Sequence, residues 1–135
     1  MKYLVGSLAL SKIINKSISD RDIDILVTDK ETFKEFQRYD LSMFVDKDVY
    51  TCYKSKSGKT DIKLLKEGKT LEDYLEYSAP NISKVAINLD TGFKIVDELA
   101  QKDIDNKTIT LEYGSDVHRL DKYKQKFPEH REIRL

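Results

Sequence analysis

Asp22 and Asp24 flank Ile23 in the stretch "DRDIDILV". Side chains alternate along an extended chain, so both carboxylates share one face, with Cα atoms about 6.5 to 7 Å apart. At that separation both can converge on one hard cation, and Mg2+ takes one or two carboxylates together with substrate phosphates. A pair of such ions about 3.5 to 4 Å apart can clamp the attacking and leaving oxygens of a phosphoryl transfer. Asp20 continues the alternation. Arg21, between it and Asp22, does not suit a core position, so Asp20 reads as a turn or cap residue. The solvated outer face of a charged strand has the same pattern, so the pair decides nothing alone.

Two further pieces bear on the same chemistry. Gly6-Ser7 follows the apolar "YLV" and precedes Leu10, Ile13 and Ile14 at helical spacing. N–H groups at a helix start attract phosphate. Gly6 lets a phosphate approach, and Ser7 adds a hydroxyl and is the expected N-cap. Asp61 in "KTDIKLL" precedes the core pair Ile62 and Leu64, so it emerges on the opposite face. There it can join a metal site or act as general base toward an attacking hydroxyl. Lys63 shares the face of Asp61 by period two. Lys63 and Arg21, each beside a site aspartate, are the first candidates for triphosphate contacts, with Lys12 and Lys16 on the first helix behind them.

The elements that must position these residues follow from periodicity. Tyr3 to Val5 reads as a strand and the next segment as a helix to about Lys16. Asp22 to Thr28 alternates, with Ile23, Ile25 and Val27 turned to a core. Thr32 and Glu35 form an expected capping box ahead of Phe33 and Phe36. "LSMFV", "DVYTCYK" and "KTDIKLL" read as strands, the last two joined by a hairpin at "SKSG". "TLEDYLEYS" is a short helix capped by Thr70. "SKVAINLDTGFKIVD" is a second hairpin turning at "DTG". "ELAQKDIDNK" is a turn or short helical segment, and "TITLEY" a strand. Asp116 to Phe127 is a weakly amphipathic helix ended by Pro128, and residues 128–135 are expected to be loose. Cys52 and the tyrosines at 50 and 53 read as strand residues packed in or near the core, and His118 as a surface residue.

The 135 residues suit a single domain spanning 1–135 with one respectable core. Lys+Arg and Asp+Glu balance at 24 each, so no global field draws the chain to nucleic acid or membrane. One cysteine excludes an intramolecular disulfide and a cysteine zinc cluster. No apolar run reaches the roughly 18 residues of a membrane span. The first ten residues read as strand and turn rather than a signal peptide, which makes the chain cytoplasmic. The excess of lysine over arginine, with plentiful Asn and Ile, points to an AT-rich coding sequence such as that of a phage or low-GC bacterium.

Taken in order, these motifs resemble the nucleotidyltransferase superfamily of the DNA polymerase β type. Within it the similarity is to the head domain of bacterial poly(A) polymerases and CCA-adding tRNA nucleotidyltransferases. Those heads open with a "YLVGG" strand and helix followed by "DIDI". Here Tyr3-Leu4-Val5-Gly6-Ser7 and Asp22-Ile23-Asp24-Ile25 stand in those places. Their later "DFTINALAYDLDTG…IID…G…DL" stretch is matched in spacing by "APNISKVAINLDTGFKIVDELAQKDIDNKTI". Asp90-Thr91-Gly92, Val96-Asp97 and Asp103-Ile104 are the matching residues, so the resemblance spans roughly 3 to 109. The chain departs at Leu8-Ala9-Leu10-Ser11, where the family's Arg and Asp are missing, and at Tyr77-Ser78-Ala79, where its "RRD" is uncharged. Those absent residues help hold the nucleotide in the family. The base-selecting neck and tRNA-binding body find no match, so tRNA tailing is not implied.

The resemblance implies an α+β fold: a palm-like mixed, largely antiparallel sheet flanked by helices on one face. It implies a Mg2+-dependent enzyme, with two ions and Mn2+ as a substitute, moving a nucleoside monophosphate from an NTP to an acceptor hydroxyl and releasing pyrophosphate. The acceptor is an RNA, a protein or a small molecule. Asp22, Asp24 and Asp61 would be catalytic and metal-ligating, and Gly6, Ser7, Arg21 and Lys63 nucleotide-binding. The alternative is a catalytically inactive module of this fold acting as an antitoxin, regulator or nucleotide sensor with a partner protein. All three carboxylates favour the enzyme, and the missing Arg and Asp favour the module.

Overall fold

The computed structural model describes residues 1–18 and 22–135. Apolar clusters on both faces of one sheet organise it. Strand β1 (Lys2–Val5) buries Tyr3 and Val5 on one face and Leu4 on the other. Helix α1 (Gly6–Ile13) starts at once from Val5, with no side-chain cap. The expected N-cap, Ser7, lies inside the first turn instead, because Gly6 at φ +75° makes the bend directly.

Strand β2 (Ile23–Val27) pairs antiparallel with β1, setting Val5 opposite Asp24. Helix α2 (Lys30–Phe33) and a 3-10 turn (Lys34–Tyr39) follow. Their cap is Asp29, whose carboxylate accepts from the Thr32 N–H at 2.7 Å, so Thr32 is the capped residue and not the cap. Strands β3 (Leu41–Asp46), β4 (Tyr50–Ser55) and β5 (Thr60–Leu65) form an antiparallel meander. The β4–β5 hairpin closes with Gly58 N–H donating to Ser55 C=O at 2.9 Å. Helix α3 (Leu71–Tyr77) carries the expected Thr70 cap, with Asp73 completing a capping box. Strands β6 (Val85–Asn88) and β7 (Lys94–Val96) form the second hairpin, and α4 (Glu98–Asn106) resolves "ELAQKDIDNK" as a helix capped by Asp97.

Seven strands make one sheet in the order β3-β4-β5-β2-β1-β6-β7. Only β2 and β5 run parallel within it, with Asp24 in register with Asp61 and Leu26 with Lys63. One face buries Leu4, Ile25, Ile62 and Ile87 under α1, α2 and α4, and fully burying such a side chain contributes about 1.5–3 kcal/mol. On the other face Tyr74 and Leu75 of α3 pack against Val5, Leu26, Tyr50 and Cys52.

Strand β8 (Thr108–Leu111) does not join this sheet. It pairs in parallel with β9 (Arg131–Arg134) after helix α5 (Val117–Lys126). The residues expected to form a loose tail therefore include a paired strand. Arg131 N–H donates to Lys107 C=O at 2.8 Å and Leu135 N–H to Leu111 C=O at 3.0 Å. His130 beneath them is 4% exposed and faces the Thr108 carbonyl. Among the described residues no helix is long and apolar enough to cross a membrane.

Candidate functional site

The parallel pairing of β2 and β5 decides where the acids meet. Equal register on neighbouring strands puts Asp24 and Asp61 side by side, one strand spacing of about 4.8 Å apart. Both lie on the face covered by α3, not on an open face. With Asp22, Gly6, Ser7 and Lys63 they line one cavity of about 410 Å3. Six of the seven residues predicted from the sequence thus share one concavity. The seventh, Arg21, lies outside the described residues, as does Asp20.

Gly6 has a specific reason to be glycine. A Cβ built there would stand 2.4 Å from Asp24 Oδ2, and the residue already sits at φ +75°. What approaches its backbone is the carboxylate of Asp24. Ser7 is 5% exposed, and its hydroxyl accepts from Lys126 Nζ at 3.0 Å.

Electrostatics knit these groups together. Burial raises the pKa of Asp24, and the neighbouring charges of Asp61 and Asp22 add to the rise, while Lys63 and Lys126 counter it. Lys63, 8% exposed, donates to the Tyr74 hydroxyl at 3.1 Å and lies over the rings of Tyr50 and Tyr74. Burial works against its charge, but Tyr74, Asp24 and Tyr50 outweigh it and hold the ammonium above the ordinary lysine range. Asp61 turns both carboxylate oxygens to Lys54 Nζ at 3.3 and 3.4 Å. Among the described residues no three His, Cys, Asp or Glu side chains converge closely enough to hold a metal ion.

Sequence reasoning missed most of the cations. Lys12 and Lys16 do not line the cavity, and Lys16 instead pairs with Glu129. The cations come from α5 and from the β3–β4–β5 meander. Arg119, Lys122 and Lys126 recur at i, i+3 and i+7, which is one helix face. That spacing was a readable signal. Among the described residues, together with Lys47, Lys54, Lys59 and Lys63 they bring seven cations to a cavity lined by four aspartates. A chain of zero net charge thereby concentrates positive charge in one place. His118 is exposed, as expected, yet lies on the rim.

No protein-family model matches the sequence, and no curated protein does. Solved structures do match. One is a Thermotoga maritima CCA-adding enzyme complexed with tRNA, at TM-score 0.54 and 22% identity over 82% of this chain and 28% of that one. Another is a CCA-adding enzyme in complex with ATP, at TM-score 0.59 and 20% identity over 98% of this chain and 34% of that one. The chain has the nucleotidyltransferase fold. A tRNA nucleotidyltransferase complexed with a primer tRNA and an incoming ATP analogue is similar at TM-score 0.54 and 21% identity, over 80% of this chain and 34% of that one. The chain spans about a third of the length of these structures. Within the nucleotidyltransferase fold, the seven-stranded sheet presents Asp24 and Asp61 on adjacent strands beneath α3.

Proposed function

We propose that the chain is a Mg2+-dependent nucleotidyltransferase that transfers a nucleoside monophosphate from an NTP to an acceptor hydroxyl of an RNA, protein or small molecule, with release of pyrophosphate. The observation that carries this reading is the β2–β5 register, which sets Asp24 beside Asp61 on the wall of a largely cationic cavity. A triphosphate complements that lining. Its oxygens would be met by Lys122, Lys126 and the Ser7 hydroxyl, with Arg21 adding a contact next to Asp22 in the sequence.

Asp24 and Asp61, side by side on adjacent strands, would supply hard-oxygen ligands to Mg2+, with Mn2+ as a substitute, and Asp22, which does not converge with them in this structure, would have to swing toward that pair to complete the set. Asp61 would exchange Lys54 for the ion. When bound, the metal supplies charge neutralisation across the phosphates. Asp61 takes the proton of the acceptor hydroxyl, whose oxygen bonds to the α-phosphorus as the bond to pyrophosphate breaks. Lys63, charged beside Asp24, favours the ionised carboxylate. NTPs are a cytoplasmic currency, so the reading carries a cytoplasmic location with it.

The ion pair between Lys54 and Asp61 favours a second reading, an inactive module that binds a nucleotide without turnover. Incubation with Mg2+ and each labelled NTP separates the two. Pyrophosphate release or a labelled acceptor, lost in Asp22→Ala and Asp24→Ala, supports the enzyme. NTP binding with no turnover under any acceptor supports the module.

A further inference from the structure

Lys84 is buried at 6% exposure, just after a 3-10 turn (Asn81–Ser83) and before β6. Its ammonium donates to three backbone carbonyls: Leu75 at 3.0 Å, Glu76 at 2.8 Å and Ser78 at 2.6 Å. These are carbonyls at the C-terminal end of α3, which a helix leaves without partners. The last turn of α3 contains no basic residue of its own. A cation from elsewhere in the chain therefore satisfies that end and opposes its partial negative charge. Burying a lysine is costly unless its donors are met, and here all three are met by one helix end.

What α3 carries makes this more than a cap. Tyr74, 4% exposed, is the hydrogen-bond acceptor for Lys63, and Lys63 lies at the cavity beside Asp24. Ser78 and Ser83, on either side of the Lys84 clamp, line the same cavity. With only seven residues, α3 gains little rigidity from its own hydrogen bonds. We propose that Lys84 is a positioning residue: by clamping the C-terminal carbonyls of α3 it fixes Tyr74, and through Tyr74 it holds Lys63 in place at the nucleotide cavity. This rests on reading that cavity as an NTP site.

Cys52, the sole cysteine, packs in the same cluster as Tyr50 and Tyr74 at 6% exposure and reports on α3 without any nucleotide. The test measures Cys52 alkylation by iodoacetamide, and binding of a non-hydrolysable ATP analogue with Mg2+, in the full chain. Lys84→Met should raise the alkylation rate at least about tenfold and weaken the analogue about tenfold while circular dichroism stays native. Lys84→Arg, which keeps donors for the carbonyls, should restore both. Tyr74→Phe should weaken the analogue similarly, and the double variant Lys84→Met/Tyr74→Phe should lose no more than either alone. Additive losses would mean Lys84 does not act through Tyr74 and would overturn the inference. Unchanged Cys52 protection in Lys84→Met would overturn it too. If Lys84→Met does not fold, Lys84→Arg decides: wild-type protection supports the clamp, and lost protection in a folded variant refutes it. Absence of analogue binding by the wild type would count against the NTP reading, while Cys52 protection would still decide whether Lys84 clamps α3.

Discussion

At Gly6 a hydrogen is the only side chain that fits between the backbone and the carboxylate of Asp24. Gly6→Ala places a methyl 2.4 Å from Asp24 Oδ2 at a φ of +75°. The expected loss is about 1–3 kcal/mol of stability in urea unfolding. Gly6→Ala in an Asp24→Ala background should cost clearly less, since the clashing oxygen is gone. Asp24 itself carries a stability penalty for its charge, because burial and the neighbouring Asp61 raise its pKa. The sign is fixed by linkage: between the unfolded value of 3.8 and the higher folded value the native state binds more protons. Stability therefore falls as pH rises through that window and stays reduced above it. Asp24→Asn should raise Tm at neutral pH by a few degrees and flatten that segment of the stability profile. Pyrophosphate release should fall by about 10³-fold or more. A Tm that drops in Asp24→Asn would contradict this account. Gly6 was legible as a special glycine, but its neighbour was not, because a phosphate and a carboxylate demand the same empty space.

Strands were the most readable elements. The acidic strand, the β4–β5 hairpin and the β6–β7 hairpin all stand where alternation and turn residues placed them. Caps were less readable, since Asp29 and Thr32 carry equivalent oxygens and only the backbone direction distinguishes cap from capped. Helix α5 was found, but its role was not. Its apolar residues mark only the buried side, and the row Arg119, Lys122 and Lys126 lies on its cavity-facing side. Lys122→Ala/Lys126→Ala should weaken NTP binding by about tenfold and flatten its dependence on salt, because charge-assisted contacts are lost and exposed charges are screened. Isothermal titration at two ionic strengths checks both. Equal substitutions at Lys12, which does not line the cavity, should leave affinity unchanged.

At the level of the whole molecule, the last residues close the fold on one side. Removing residues 131–135 takes away the β8–β9 pairing and uncovers buried Thr108 and His130. Several net hydrogen bonds of about 0.5–1.5 kcal/mol each are lost, so stability should drop by about 2–4 kcal/mol in urea. An unchanged midpoint would mean that β9 contributes nothing, as a loose tail would. By its residues alone "REIR" resembles such a tail, since it is charged on both sides of a single apolar residue. A short strand needs no apolar alternation when its backbone pairs with a neighbour.

The sequence by itself determined the three acids, the glycine–serine turn and the order in which they occur. Residue type and period two place side chains on a face without knowledge of the rest of the chain. It also determined zero net charge, which excludes a global attraction to polyanions. Only the tertiary structure decided that β2 and β5 lie in parallel register, joining residues 24 and 61 across the meander between them. Only it decided that α5 supplies cations, that α3 roofs the acidic face, and that Lys84 reaches the end of α3. Those choices depend on contacts between segments distant in the chain, which local periodicity does not encode.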